Sequence, residues 1–333
     1  MNRTYDIELH GRSFGFQFYD LPQAEVHPSR HVVFRTTQPF SSMAVRLQGL
    51  STSKYNHVFK ACNEIPSEQL EIIKVEDSFI IPSSPNFYHL MVDSLPRLYG
   101  AFLERDQKIT ICKTILDRYP KIYSLLRSWI PCEKWIEVEI DLDYNKDGND
   151  RIIKERMRGN FRVFASTATD EAQILRSNRA LAVAFWQKWY ASHHEQQKMD
   201  RHVFLARTPG PGGSERCINQ REIYETLCKH QDFEWVDPMD HEFGDLAKII
   251  NGARIIIGVH GAGMTNTVFC QPDTRYIQLS NNSGSELFYE TIASHCRADY
   301  SVLHGVDPET GNPVFDNKSG TYVIEPKEIL KLL

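Results

Sequence analysis

Three short stretches of this chain carry side chains whose types and spacing could do chemistry. In the first, Asn86-Phe87-Tyr88-His89-Leu90-Met91-Val92-Asp93-Ser94-Leu95-Pro96-Arg97, His89 and Asp93 stand four residues apart. A helix puts such a pair on one face, with Arg97 a further turn along. An imidazole beside a carboxylate makes a general base and the group that orients it, or a base whose pKa the carboxylate raises. Asn86 and Arg97, at the two ends, would contact a substrate or support the pair. A helix-capping network joining two elements would use the same residues.

The second stretch is Ile255-Ile256-Ile257-Gly258-Val259-His260-Gly261-Ala262-Gly263-Met264-Thr265-Asn266. An apolar strand runs into small residues and then into the start of a helix, where free N–H groups and the positive end of the dipole attract a phosphate. His260, at the strand's exit, could donate to a phosphate oxygen. Gly261, Ala262 and Gly263 would let a backbone approach closely, and Asn266 would order the turn. A tight strand-to-helix turn needs glycine on steric grounds too. The third stretch has Arg207 at the end of a strand, then Gly210, Gly212 and Gly213, then Arg216, Asn219 and Glu222. Two guanidinium groups bracketing a glycine-rich loop can clamp a diphosphate bidentately without a metal. Surface arginines paired with carboxylates are the alternative. The Gly-Lys-Ser/Thr ending of a Walker loop is missing.

A fourth feature points to different chemistry. Asp141 and Asp143 follow a strand, where a metal-dependent glycosyltransferase would keep its Asp-x-Asp pair. With Asn145, Asp147 and Gly148 they also imitate the start of a calcium loop, but Lys154 stands where the closing Glu belongs. A solvated acidic loop is the simpler reading, and no metal or cofactor is expected.

The elements that must position these residues fall into two halves. Residues 1 to about 85 read as short strands separated by turns (DIELHG, HVVFRT, MAVRLQG, LEIIKVEDSFIIP). A helix is expected from Ser84-Pro85, a cap followed by proline, with Pro96 kinking or ending it at ~3 kcal/mol in an ordinary helix interior. Strand KITICKTI, helix DRYPKIYSLLRSWI and strand KWIEVEI follow, then a loop over 141–150 and a long helix from about 170 to 194. Beyond it, strands HVFLAR, FEWVDP, RIIIGV and RYIQLS alternate with helical segments, Gly252 stopping one of them. That rhythm makes a doubly wound domain with its crevice at the carboxyl ends of the strands. The expected fold is α/β with two Rossmann-like lobes: 1–194, with extra β-structure and the linker helix, and 195–333, which holds the two glycine-rich stretches.

Length and composition limit the partners. The 333 residues are 41% hydrophobic and 24% charged, as in globular proteins, and the net charge of -5 argues against nucleic acid. Seven cysteines, an odd number without a C-x-x-C pair, fit reduced thiols. No apolar run reaches the ~18 residues of a membrane span and the first residues do not resemble a signal peptide. The expectation is a cytoplasmic protein with no transmembrane segment, peripheral membrane association being left open.

The three stretches resemble, in order and approximate spacing, glycosyltransferase family 61. This family includes plant xylan xylosyltransferases, endoplasmic reticulum O-GlcNAc transferases and bacterial capsule enzymes. NFYHLMVDSLPRL, LARTPGPGGSERCINQREI and ARIIIGVHGAGMTNTVFCQP carry the likeness, and ELFYETIASHCRADY also fits. Leu246 stands where members commonly have Gln, and Gln278 where Glu is frequent. The resemblance implies a GT-B architecture, with 1–194 the acceptor-side lobe and 195–333 the nucleotide-sugar-binding lobe, a nucleotide diphosphate sugar as donor, often UDP-linked, a glycan acceptor, inversion at the anomeric carbon and no required metal. On that reading Arg207, Arg216, Asn219, His260 and Gly261 to Gly263 bind the donor phosphates. Asp93 or His89, with Asp93 favoured as base, deprotonates the acceptor hydroxyl, in surface polysaccharide synthesis. A metal-dependent transferase using Asp141 and Asp143, or a nucleotide- or glycan-binding protein without catalysis, are the rivals.

Overall fold

The structure, a computed structural model, describes residues 4–26, 34–35, 71–81, 86–104, 107–139, 155–209, 215–281, 286–314 and 320–333. The segments MAVRLQG and Ser84-Pro85, the acidic loop with Asp141, Asp143 and Lys154, and Gly210, Gly212 and Gly213 lie outside the described residues. The chain divides into two compact units, Met1–Phe185 and Trp186–Leu333. The division falls within the long helix Glu171–His193, at whose end the sequence reading set the lobe boundary.

In the first unit, β1 (Thr4–Leu9) and β2 (Arg12–Val26) form an antiparallel hairpin. Its turn residues His10 and Gly11 have φ of 51° and 76°. A two-residue turn with both φ positive follows the natural twist of the strands, and glycine adopts it without strain. β3 (Phe34–Arg35), β4 (Glu71–Lys74), β5 (Ser78–Ile80), β6 (Ile109–Cys112), β7 (Trp135–Val138) and β8 (Glu155–Ser166) complete a mixed eight-stranded sheet. Its order is β1-β2-β8-β5-β6-β7, with β3 on β2 and β4 on β8.

The pivot is β8, antiparallel to β2 and parallel to β4 and β5. The sequence reading assigned no strand there, because Arg156, Arg158, Gly159 and Arg162 break the apolar run. Met157 and Phe161 are nonetheless buried beside exposed Arg158 and half-buried Arg162, and Val163 to Ser166 are buried on both faces, while Arg162 pairs with Asp20 and Glu104. The return strand β2 was likewise not marked out.

The helical stretch after β5 changes pitch three times. Phe87–His89 is a single α-turn, Leu90–Ser94 is π-helical, Leu95–Arg97 is 3-10, and Leu98–Leu103 is α-helical again. Pro96 accounts for the change. It has no N–H to give, and its ring would strike the carbonyl four residues back. The ladder widens just before it, with the Leu95 N–H reaching the Leu90 carbonyl. The helix is therefore re-wound at Pro96 and continues.

The second unit is a five-stranded, wholly parallel sheet of β9 (Arg201–Leu205), β10 (Glu234–Val236), β11 (Ala253–Val259), β12 (Arg275–Ser280) and β13 (Asp299–His304). Helices Gln220–Cys228, Phe243–Asn251 and Glu286–Cys296 and the 3-10 segment Ala262–Phe269 make the crossovers. Parallel strands covered on both faces read as continuous apolar runs, and Ile255 to Val259 are buried throughout. The strand order is β10-β9-β11-β12-β13, so the chain leaves β9 toward one edge and β11 toward the other. In doubly wound sheets ligands bind at such a reversal, which here falls at the carboxyl ends of β9 and β11. The architecture is α/β with one mixed and one parallel, Rossmann-like sheet.

Helix Leu98–Leu103 seats Gly100 against β8, where an added Cβ would lie 2.6 Å from Phe164 Cβ and Cγ. Phe164 is itself stacked on Phe16 at 5.3 Å and cannot retreat. Gly100→Ala should therefore cost about 1–3 kcal/mol by overpacking, more than the ~0.5–1 kcal/mol that alanine gains in a helix. A urea midpoint at or above that of the wild type would contradict this packing.

Candidate functional site

In the first unit, the Asn86 side chain caps the helical stretch by accepting from the Tyr88 N–H at 2.9 Å. One turn on, His89 Nδ1 and Asp93 Oδ2 lie 2.7 Å apart, their side chains 20% and 10% exposed. Asp93 is held in turn by Arg97, whose Nε donates to the Asp93 carbonyl oxygen at 2.7 Å. Arg97 is fully buried, and a second N–H donates to the Phe164 carbonyl oxygen on β8 at 2.6 Å. Burial lowers the Arg97 pKa to about 10 against the opposing pull of Asp93. Next to His89, burial pushes the Tyr88 phenol up to about 12, and Arg179 Nε donates to its oxygen at 3.1 Å. The His–Asp pair thus stands on a polar thread anchored to the sheet. Arg97 belongs to that thread and Asn86 to the cap.

In the second unit, Arg207 follows β9 by two residues and His260 follows β11 by one, so both flank the strand-order reversal. The Arg207 guanidinium donates to the His260 carbonyl oxygen at 2.8 Å. Gly261 makes this approach possible, since a Cβ there would sit 2.7 Å from a guanidinium nitrogen. The Arg207 backbone is clasped by Gln220, which accepts from its N–H at 3.1 Å and donates to its C=O at 3.0 Å. Burial and the charge of Arg216 both lower the Arg207 pKa. Among the described residues no carboxylate forms an ion pair with Arg207 or Arg216. Two neighbouring, partly buried cations that share no ion pair with a described carboxylate make a site that favours an anion.

The loop bearing Arg216 is tied down from the C-terminal segment. The Tyr322 N–H donates to the Arg216 carbonyl oxygen at 2.7 Å, and the Ile218 N–H donates to the Tyr322 carbonyl oxygen at 3.1 Å. Asn219 donates to the Ile324 carbonyl oxygen at 2.9 Å and accepts from the Ile324 N–H at 3.2 Å. It also donates to Glu222 at 3.3 Å. These bonds engage its amide in positioning the loop.

His260 is buried, and its Nδ1 lies 2.8 Å from the Gln278 amide nitrogen. Burial first, then the charges of Arg216 and Arg207, lower its pKa to about 4, with Glu286 opposing. The ring is therefore neutral at physiological pH. Beyond it the chain turns at Gly261, whose carbonyl oxygen accepts from the Tyr289 hydroxyl at 2.8 Å. Ala262–Phe269 is then an eight-residue 3-10 helix, tighter than the α-helix expected. Ala262 and Gly263 are half-buried in its first turn, and Asn266 donates to the Gly263 carbonyl oxygen at 2.8 Å.

The structure thus gathers Arg207, Arg216, His260, Gly261, Ala262, Gly263 and Asn266 at the carboxyl edge of one sheet. His89, Asp93, Arg97 and Asn86 lie along one helical stretch of the other unit. Sequence reasoning missed Gln220 and Tyr289, although Gln220 adjoins Asn219 and Tyr289 shares a helix face with Glu286 three residues before it. A cavity of about 510 Å³ in the second unit is lined by Tyr190, His194, Asn251 and Gln271. Asn251 and Gln271 precede β11 and β12, so it opens at the amino ends of the strands, away from the arginines.

The family model Glycosyltransferase 61 matches residues 87–277, more than half of the chain, and the chain belongs to that family. It is also similar to the xylan glycosyltransferase MUCI21 of Arabidopsis thaliana, with 21% identity over 271 residues. The match covers 74% of this chain and 53% of the plant protein, so the chain spans about half the length of that relative.

Two outcomes follow from the geometry. Between pH 6.5, the ordinary histidine value, and about 4, unfolded His260 binds a proton that the folded ring refuses. Stability should therefore fall as pH drops through this window and stop falling on this account below it. Urea midpoints against pH should show a shallower acid slope for His260→Asn than for the wild type. Asn219→Ala strips partners from the Ile324 backbone and should cost about 1–3 kcal/mol. Hydrogen exchange at Ile218 and Ile324 should accelerate together, and unchanged exchange would refute the tie.

Proposed function

We propose that this chain is an inverting glycosyltransferase, moving a sugar from a nucleotide diphosphate donor to a hydroxyl of a polysaccharide acceptor. What carries the reading is the pair Arg207 and Arg216, in no ion pair with a carboxylate among the described residues, at the strand-order reversal of a parallel sheet. Such a place attracts an anionic ligand, and charge appearing on a departing diphosphate is what preorganised cations and N–H groups stabilise best. Membership of glycosyltransferase family 61 supports a sugar as the transferred group. The plant relative's description as a xylan glycosyltransferase supports a polysaccharide acceptor. The sequence resemblance extends the reading to the GT-B class, a UDP-linked donor, inversion and a reaction without a metal.

The reaction is one displacement. The acceptor oxygen bonds to the anomeric carbon as the bond from that carbon to the diphosphate oxygen breaks, and the acceptor proton passes to the His–Asp pair. Because His89 Nδ1 faces Asp93 and His89 is the more exposed of the two, the geometry favours His89 Nε2 as base and Asp93 as its orienting partner. Arg207, Arg216, the neutral His260 and the N–H groups after Gly261 take the leaving group. Asn219 and Gln220 hold the arginines in place, and Asn266 holds the turn.

A panel of nucleotide sugars in thermal-shift assays, with and without EDTA, tests the donor class. A ligand that binds only the folded state raises the melting temperature. UDP and a UDP-sugar should do so equally with chelator present. A shift abolished by EDTA would favour metal-dependent chemistry instead. His89→Ala and Asp93→Ala should each lower turnover about 10²–10⁴-fold with nucleotide affinity almost unchanged, whereas Arg207→Ala should weaken the nucleotide. Wild-type turnover in both first variants would remove the His–Asp pair from the mechanism.

A further inference from the structure

Gln278 sits in the middle of β12, opposite Gly258 on β11 and Val302 on β13. It is completely buried. A glutamine at such a depth must satisfy both ends of its amide within the protein. The Tyr300 hydroxyl, on β13, approaches Gln278 Oε1 at 3.3 Å, and Gln278 Nε2 approaches His260 Nδ1 at 2.8 Å. With the hydroxyl donating to the amide oxygen, the amide N–H points at the ring. A ring nitrogen that accepts a hydrogen bond carries no proton, so the proton of a neutral imidazole must be on Nε2.

We infer that Gln278 is a positioning residue for His260: its amide holds the ring as the neutral tautomer protonated on Nε2, so that His260 meets the donor diphosphate as a hydrogen-bond donor and not as a cation. The inference rests on the reading of this edge as the diphosphate site. The surroundings agree with it. Arg207 and Arg216 act on the ring from the segment after β9 and Glu286 and Tyr289 from the helix after β12, while Tyr322 of the C-terminal segment meets the His260 backbone. Two fixed positive charges already lie beside it, and a third in this buried place would repel them. A carboxylate at 278 would reverse the preference, accepting from an Nδ1–H and favouring the doubly protonated ring. An amide and a carboxylate of the same shape thus set different charges on the group behind the phosphate.

The tautomer can be read directly. In the uniformly ¹⁵N-labelled chain, long-range ¹H–¹⁵N spectra separate the two neutral tautomers and imidazolium, and His260→Asn identifies the resonance. The expected pattern is a neutral ring protonated on Nε2, unchanged from about pH 8 to about pH 5. Gln278→Glu should give the imidazolium pattern at neutral pH, and Gln278→Leu should lose the single tautomer. A wild-type ring protonated on Nδ1, or a neutral ring in Gln278→Glu, overturns the inference. Should neither variant fold, the wild-type spectrum alone decides. UDP added to the wild type should move the Nε2 resonance. If UDP leaves every resonance in place while the tautomer is as expected, the diphosphate reading fails and the Gln278–His260 coupling stands.

Discussion

The second unit turns on one hydrogen bond, from the Arg207 guanidinium to the carbonyl oxygen of His260. Strands β9 and β11 are paired as far as Leu205 and Gly258 and then send their chains to opposite edges of the sheet. A side chain makes the join. It requires a missing Cβ at Gly261, a fixed backbone at Arg207, which Gln220 provides, and burial enough to make the bond worth more than its hydrated alternative. A cation used this way still presents the rest of its guanidinium, which is why one group can be both fastener and binding element.

The first unit solves a related problem by different means. A buried guanidinium is costly unless its N–H groups find acceptors. Arg97 finds backbone carbonyls on its own helix and on β8, with Asp93 as the nearby charge. The orientation of the His89–Asp93 pair is thereby referred to the central strand of the sheet. Loss of strand pairing around Phe164 would be felt at the imidazole, although no side chain of β8 need touch it.

Much of this was legible in the residues. The parallel unit could be read strand by strand because buried parallel strands are unbroken apolar runs bounded by glycine and polar segments. The His260 turn stood out because an unbroken apolar run gives way at once to small residues and the start of a helix, where a backbone can approach a ligand. The mixed sheet was harder. Its pivotal strand β8 satisfies arginines across the sheet surface, and Arg162 looks like loop composition until Asp20 and Glu104 are beside it. The division of labour among motif residues was not legible either. Asn219, Asn266 and Arg97 read as ligands of a substrate as easily as ligands of the backbone, since amides and guanidinium groups serve both. Only the positions of Ile324, Gly263 and Phe164 distinguish the two uses. The change from α to 3-10 winding after Gly261 also escaped, because residue types there are compatible with either.

The widened turn ahead of Pro96 has a consequence for how this segment could vary. A π-turn holds one residue more than an α-turn, so it uncouples the angular phase of the helix on its two sides. The face that presents His89 and the face that packs Leu98 and Gly100 on the sheet need not keep a common periodicity. Substitutions that re-aim one can accumulate without rotating the other. A straight helix would force both through the same rotation, and any adjustment of the imidazole would have to be absorbed by the core.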